Sequence, residues 1–339
     1  MKLAIHSSKS RFHPRWVTYC QENNIPYKLV NCHATDIIEQ LKDCDALLWH
    51  HAQSNPGDIL IAKQILFALE HSGFKVFPDF KTSWHFDDKV GQKYLFEALN
   101  IPTVPSYVFV NKSEAVKFVK SAVFPKVFKL RGGAGSANVQ LAKTQGRALH
   151  IVNQAFGSGF SQYSSWTNLK DRIYKYRQGK STLFNVLKGI VRFVDEPEFS
   201  KIIGKERGYV YFQDFMPNND SDTRIIIIDG KAFALKRMVR KGDFRASGSG
   251  EFYYSKEKFD ERCVKLAFES NEKIQSQCIA YDFIFDSGNN PLIVEISYGF
   301  IKEVYDPCPG YWDKDLIWHE GKFNAQGWMI ESVLKSLKK

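Results

Sequence analysis

Short apolar runs and amphipathic stretches alternate through the first hundred residues. The runs at 2–6, 27–31, 45–49 and 75–77 read as strands. Those at 14–23 and 58–71 read as helices, the second closed by Gly73. Strands alternating with helices predict a parallel α/β sheet. No glycine-rich fingerprint follows the first strand, which argues against a dinucleotide-binding domain. A helix over 89–99 then runs into Pro102 and Pro105, which break it and open a new module. Strands at 107–110 and 127–130 flank a helix over 113–121. Between 147 and 207 the pattern blurs into an aromatic, basic stretch, read as surface helices and loops. Its charges suit a solvated face or a surface for an anionic polymer or phosphorylated carrier. The last third has the period of two expected of strands, at 209–215, 224–229, 231–238, 279–286 and 291–297. Asp229-Gly230 and residues 287–290 are turns, and 256–275 reads as one long helix.

Composition narrows the class. The 339 residues are 44% hydrophobic and 25% charged, as in a folded, soluble protein of two or three packed subdomains. No apolar run approaches the ~20 residues of a membrane span, so no transmembrane segment is expected. The early turn to polar residues at His6 and Ser7 argues against a signal peptide, so the expected location is cytoplasmic. The net charge of +10 points to anionic partners: nucleic acid, a phosphorylated substrate, an acidic glycan or a membrane surface. Base-stacking and groove-reading motifs are absent, which makes nucleic acid the weaker choice. Six cysteines without a C-x-x-C pair give neither a zinc site nor a disulfide scaffold, and read as reduced thiols.

Four constellations carry chemistry. Lys129 ends a strand just before Gly132, Gly133 and Gly135; glycines let backbone N–H groups close over phosphates and a lysine adds a point charge. A plain hairpin turn would look similar. Asp282 and Glu295 sit within apolar strands joined by a turn. A charge there is costly unless it is paired with a cation or bound to a metal such as Mg²⁺, which takes hard oxygen ligands. Arg237 and Arg240 follow Lys236 on a strand that runs on to Arg245, so some of these charges share one face. Last, Gln213, Asp214 and Phe215 form an extended segment able to offer backbone groups to an adenine edge, with Asp222 and Arg224 beyond it. His6, His50 and His51 lie at the ends of expected strands, where a parallel sheet often places functional groups.

Taken in order, these motifs resemble the ATP-grasp superfamily, closest by motif to the ligases that add glutamate to ribosomal protein tails. The resemblance covers about 86–300. It implies a fold of an α/β N-terminal domain (1–85) followed by two α+β subdomains, a middle one (86–210) with a helical, basic insertion and a C-terminal one (211–339) with the metal site. It implies that Lys89, Lys129 and the loop starting at Gly132 hold ATP phosphates. Gln213, Asp214 and Phe215 would lie at adenine and Asp222 at ribose. Arg245 and Arg237 would be catalytic, and Asp282, Glu295 and Ser297 would hold Mg²⁺, with Mn²⁺ the alternative. Ser297, and Ser247 in the ATP site, stand where the family has Asn. Arg224 and Arg240 would grip a substrate carboxylate.

The implied reaction joins a carboxylate to an amine through an acyl phosphate, releasing ADP and phosphate. The alternatives are a kinase, or a non-catalytic nucleotide-binding protein, on the same fold. Aromatic residues from Tyr298 to Trp318, beside glycine and proline, suggest an acidic saccharide or surface-polysaccharide precursor as the carboxylate, or else a loop packed on the last subdomain.

Overall fold

The computed structural model describes residues 1–8, 12–132, 138–163, 165–177, 179, 181–191, 197–239, 244–245 and 250–338. The chain divides into two compact units: 1–86 with 94–103 and 216–339, and 87–93 with 104–215.

The first unit contains the parallel α/β sheet that the early alternation calls for. Its strands run in the order Tyr27–Val30, Leu3–His6, Ala46–Leu48, Lys75–Phe77, all parallel. Helix His13–Glu22 has Pro14 in its first turn and buries Trp16 and Cys20, four residues apart. Helix Pro56–His71 begins two residues before the apolar pattern does. Asn55 caps it by accepting from the Gly57 and Asp58 amides, and Ala62, Leu66 and Leu69 fall on its buried face.

The same unit holds a seven-stranded antiparallel sheet. Its main order is Pro291–Ser297, Cys278–Phe285, Ser221–Ile228, Lys231–Met238, Gly310–Asp313, Trp318–Glu320, with Phe252–Tyr253 added to Lys231–Met238. Alternation along Ser221–Ile228 splits the core. Ile225 and Ile227 face helix Glu261–Ile274 through Cys263, Val264 and Ala267. Ile226 and Ile228 join a core that also includes Leu3, Phe12, Trp16, Phe77 and Trp328. Through that shared core, residues 1–86 and 216–339 belong to one compact unit. Helix Ala325–Ser336, which the sequence reading left out, adds Met329, Ile330 and Val333 to it.

The second unit is built on an antiparallel sheet ordered Ser106–Phe109, Val210–Asp214, Lys126–Lys129, Gln140–Ala142. Helices Lys112–Ser121 and Gln145–Ala155 pack on it through Ala115, Val119, Ala148, Ile151 and Val152. Val210–Asp214, expected at the head of the C-terminal subdomain, is a central strand here, bonded on both sides. Residues 147–207 contain helices Ser165–Arg177, Leu183–Val191 and Glu198–Ile203 and a two-stranded ribbon, Phe160–Ser161 with Lys205–Glu206.

Two element readings change. The helix expected over 256–275 is a 3₁₀ turn, Lys256–Lys258, and then a helix, Glu261–Ile274. Asp260 stops one and caps the other by accepting from the Arg262 amide. The strand expected at 224 begins at Ser221, which takes Asp222 into the sheet. All six cysteines are free and buried, and burial pushes the Cys263 and Cys308 thiols up to about 12, which leaves them unreactive near neutral pH.

Candidate functional site

Strand register in the large sheet lines up charges that lie far apart in sequence. Asp222 stands opposite Arg237, Arg224 opposite Asp282, and Asp282 opposite Glu295. Directly opposed side chains are within reach of each other. Arg237 grips Asp222 with Nε and Nη2, both at 2.6 Å. Arg224 grips Asp282 in the same forked way, with Nη2 to Oδ2 at 2.6 Å. Arg237 Nη2 also lies 2.9 Å from Asp282 Oδ2, which joins the two pairs. Two carboxylates and two guanidinium groups form one compact array.

The array occupies the same sheet face as Ile226, Ile228 and Leu235, where the apolar core gives way to charge. Asp282 and Arg237 are buried. Burial pushes the Asp282 carboxyl up, but the Arg224 and Arg237 charges outweigh it and hold Asp282 well below the usual carboxylate range. Asp222 goes the other way: burial, with the Asp282 charge added, outweighs Arg237 and raises it. Residues expected to serve metal, ribose, substrate and catalysis thus hold each other. Pairing was the alternative to metal binding for an acid in an apolar strand, and Asp282 is paired.

Glu295 reaches this face through a β-bulge. The pairing register shifts between Asp282 and Phe283, so that Asp282 meets Glu295 while Phe283 meets Ile293. The extra residue lets Ile293 and Ile296 both pack against the core, with Glu295 between them on the charged face. Ser297 comes two residues later. Its hydroxyl donates to the Gly299 carbonyl at 2.9 Å and accepts from the Gly299 amide at 3.2 Å.

In the second unit, alternation sorts the expected nucleotide residues onto two faces. Lys129 is buried and its Nζ donates to Gln213 Oε1 at 2.7 Å. Gln213 Nε2 in turn donates to Ser106 Oγ at 3.1 Å. Lys126 and Asp214, opposed across the same strands, pair on the helix-covered face, where Lys126 also lies over the Tyr107 ring. The Asp214 side chain therefore points away from the face of Lys129 and Gln213. Lys89 is buried at the start of helix Lys89–Ala98, and its amide donates to the Arg131 carbonyl at 2.9 Å, beside the first loop glycine, Gly132.

Sequence reasoning missed Glu206. Its carboxylate is buried at the base of the glycine loop. It accepts from the Arg131 amide at 3.3 Å and the Gly132 amide at 3.4 Å, and from the Gln162 amide and Tyr209 hydroxyl. Burial and this carboxylate together push the Tyr209 hydroxyl far above its ordinary range. The acid lies 74 residues from Gly132, in a run of basic residues, and no local motif marks it.

Arg245 and Phe215 are half-buried. Gly133, Gly135, Arg240 and Ser247 lie outside the described residues.

The three strand-end histidines are buried. His6 Nδ1 accepts from the Cys32 amide at 3.0 Å, and His50 Nδ1 accepts from the Phe12 amide at 3.2 Å. A neutral ring that accepts at Nδ1 carries its proton on Nε2 and has no second lone pair for a metal. His6 lies near His33 and Asp58, a grouping with metal-like spacing, but its tautomer removes it as a ligand. Burial and the neighbouring His33 and His13 lower His6 to about 4. A lowered histidine contributes stability that is complete above the unfolded value of about 6.5 and is lost as pH falls towards 4. Thermal unfolding of the wild type is expected to steepen downwards below about pH 6.5. His6→Gln should flatten that slope, and an unchanged slope would show that His6 is not its source.

Residues 189–301 match the model of the RimK-like ATP-grasp domain. No curated protein matches the sequence. Among solved structures, D-cycloserine synthetase superposes with a TM-score of 0.59 at 12% identity, covering 99% of this chain and 100% of that one. A RimK domain ATP-grasp protein from Sphaerobacter thermophilus gives 0.58 at 12% identity, covering 98% and 100%. D-alanine–D-alanine ligase from Bacillus anthracis, complexed with ATP, gives 0.57 at 13% identity, covering 100% and 98%. The chain has the ATP-grasp fold. The stretch that matches the RimK-like model, 189–301, includes the charge array and Glu295.

Proposed function

We propose that this chain is an ATP-dependent ligase that joins a carboxylate to an amine, releasing ADP and phosphate. The observation that carries the reading is the Asp222–Arg237–Asp282–Arg224 array, with Glu295 opposite Asp282, inside the stretch that matches the RimK-like domain. The solved structures of similar fold include one complexed with ATP and one with Mg and ADP, which supports the same cofactors here.

In this reading Lys89 and Lys129 meet the phosphates of ATP, and the amides from Gly132 onward cover them. The face of Gln213, with the backbone of Asp214 and Phe215, receives adenine. The oxygen donors of Glu295 and Asp282 suit a hard cation, Mg²⁺ with Mn²⁺ as the alternative. Asp282 already accepts two N–H bonds from Arg224 and is ion-paired with Arg237, so Glu295 takes the larger share. Ser297, closed on Gly299, adds little. A bound cation would draw charge off the phosphate oxygens. Arg224 and Arg237 keep Asp282 ionised for that purpose.

The substrate carboxylate attacks the γ-phosphorus and ADP leaves, giving an acyl phosphate. The amine then attacks the acyl carbon, phosphate leaves, and the amine gives up a proton. Arg245, and Arg237 through Nη1, would stabilise the oxyanion between these states. An acidic saccharide remains the finer proposal for the carboxylate, now resting on the basic surface alone. Tyr298, Phe300 and Trp312 are buried and offer no stacking platform.

The test is Mg²⁺-dependent ATP turnover against panels of acids and amines, scoring ADP, phosphate and product. Turnover that needs both an acid and an amine is expected. A phosphorylated product with no free phosphate would make the enzyme a kinase instead.

A further inference from the structure

Helices Ser165–Arg177 and Leu183–Val191 form a hairpin in the second unit. They meet through the small side of the second helix. Gly189 is buried, and a Cβ there would lie 2.8 Å from Arg172 Cδ and 3.1 Å from Leu169 Cδ1. Arg172 Nη1 also donates to the Asn185 carbonyl at 2.9 Å. Asn185 and Gly189 lie on one side of the helix. At ~100° per residue, Ile190, Leu183, Leu187, Val191 and Phe184 sweep across the other. All five are more than half exposed, from 51% for Leu187 to 63% for Phe184. Isolated apolar side chains on a surface are ordinary, but a continuous stripe on one helix marks a binding face.

The surroundings of the stripe say what it binds. Lys188 borders it, with Nζ 4.5 Å from the Phe184 ring centre. On the first helix Trp166 is 58% exposed, with Lys170 Nζ 5.1 Å from its ring. From 165 to 191 the sequence has six Lys or Arg and one acid. We propose that this hairpin seats the protein on an anionic membrane surface. The stripe would enter the headgroup boundary while the basic residues meet lipid phosphates, an arrangement suited to a helix lying in the membrane plane. Exposed tryptophan beside lysine belongs at that depth. No helix among the described residues is long and apolar enough to cross a membrane, so the contact is peripheral. A protein groove would take the apolar stripe but would gain nothing from so one-sided a charge unless it were itself strongly acidic.

The inference does not depend on the proposed reaction. It is tested by flotation of the full chain with vesicles of phosphatidylcholine alone and of phosphatidylcholine mixed with phosphatidylglycerol. About tenfold more protein should float with the anionic vesicles, and less as salt rises. Leu187→Glu with Ile190→Glu should abolish the difference without moving the unfolding temperature, because both side chains are exposed. Lys170→Gln with Lys188→Gln should weaken the preference for anionic lipid. Three results would overturn the proposal: no flotation with either vesicle, undiminished flotation of the double glutamate variant, or a dimer that the same variant dissolves, which would make a second copy the occupant.

Discussion

Replacing Glu295 with Gln is expected to cut Mg²⁺-dependent ADP release by about a hundredfold or more. The substitution removes one negative charge and keeps the shape of the side chain. Glu295 is half-buried and stands on the outer strand of the pair that includes Asp282, so the sheet should survive. The unfolding temperature should stay within about 2 °C of the wild type. Asp282→Asn makes an informative contrast, since it also removes the partner of Arg224 and should lower activity and stability together. ADP release by Glu295→Gln at the wild-type rate would remove Glu295 from the proposed metal site. Retained fold with lost activity would separate the chemistry of Glu295 from the structural work of the array.

The second large effect belongs to Arg237. It is buried and is the cation that joins the two acid–base pairs. Arg237→Met should cost about 3–5 kcal/mol, the usual penalty for leaving a buried charge without its partner. Both Asp222 oxygens lose their donors, and Asp222 is then left beside the negative charge of Asp282. The pH dependence follows from two shifts. Asp282 is depressed in the wild type, so its stabilising contribution is present above the ordinary value of about 4 and is lost as pH falls. Asp222 is raised already and would be raised further in the variant, so the variant's penalty grows as pH rises through that value. Both act in one direction: urea unfolding should show a wide gap between wild type and variant near neutral pH and a narrower gap near pH 4. Asp222→Asn placed on Arg237→Met should recover part of the loss. A gap that stays constant with pH would mean that Asp222 is not the uncompensated group.

The sequence showed the elements better than their partnerships. Alternating short apolar runs and amphipathic helices gave the parallel sheet at the start, because its strands are buried and short and each helix keeps one apolar face. Asp282 and Glu295 stood out because a charge in an apolar strand needs an explanation. That Asp282 answers to Arg224, 58 residues away, is set by strand register, which no local pattern records. The Asp214 side chain falls on the face opposite Gln213 for the same reason: period two separates neighbours, and only the pairing shows which face is covered. Glu206 was illegible because its role is to accept amide bonds from a loop that arrives from elsewhere in the chain. The core shared between the two ends of the sequence was illegible, because no local pattern records which distant segments pack together. In the aromatic tail, Tyr298 and Trp312 are bulky core residues, which the sequence could not separate from exposed ones, because glycine and proline nearby mark turns with or without a ligand.

The shared core also sets a schedule for biosynthesis. Leu3, Phe12 and Trp16 pack in one cluster with Met329, Ile330 and Val333, Arg15 pairs with Asp306, and the Tyr19 hydroxyl donates to Glu331. A nascent chain that has completed its parallel sheet still lacks the surface meant to cover one side of it. At about 5–20 residues per second, roughly ten seconds to a minute passes before those last segments leave the ribosome. For that interval helix His13–Glu22 alone covers that greasy side of the newborn sheet, and the rest of it is open to a chaperone or to a wrong partner.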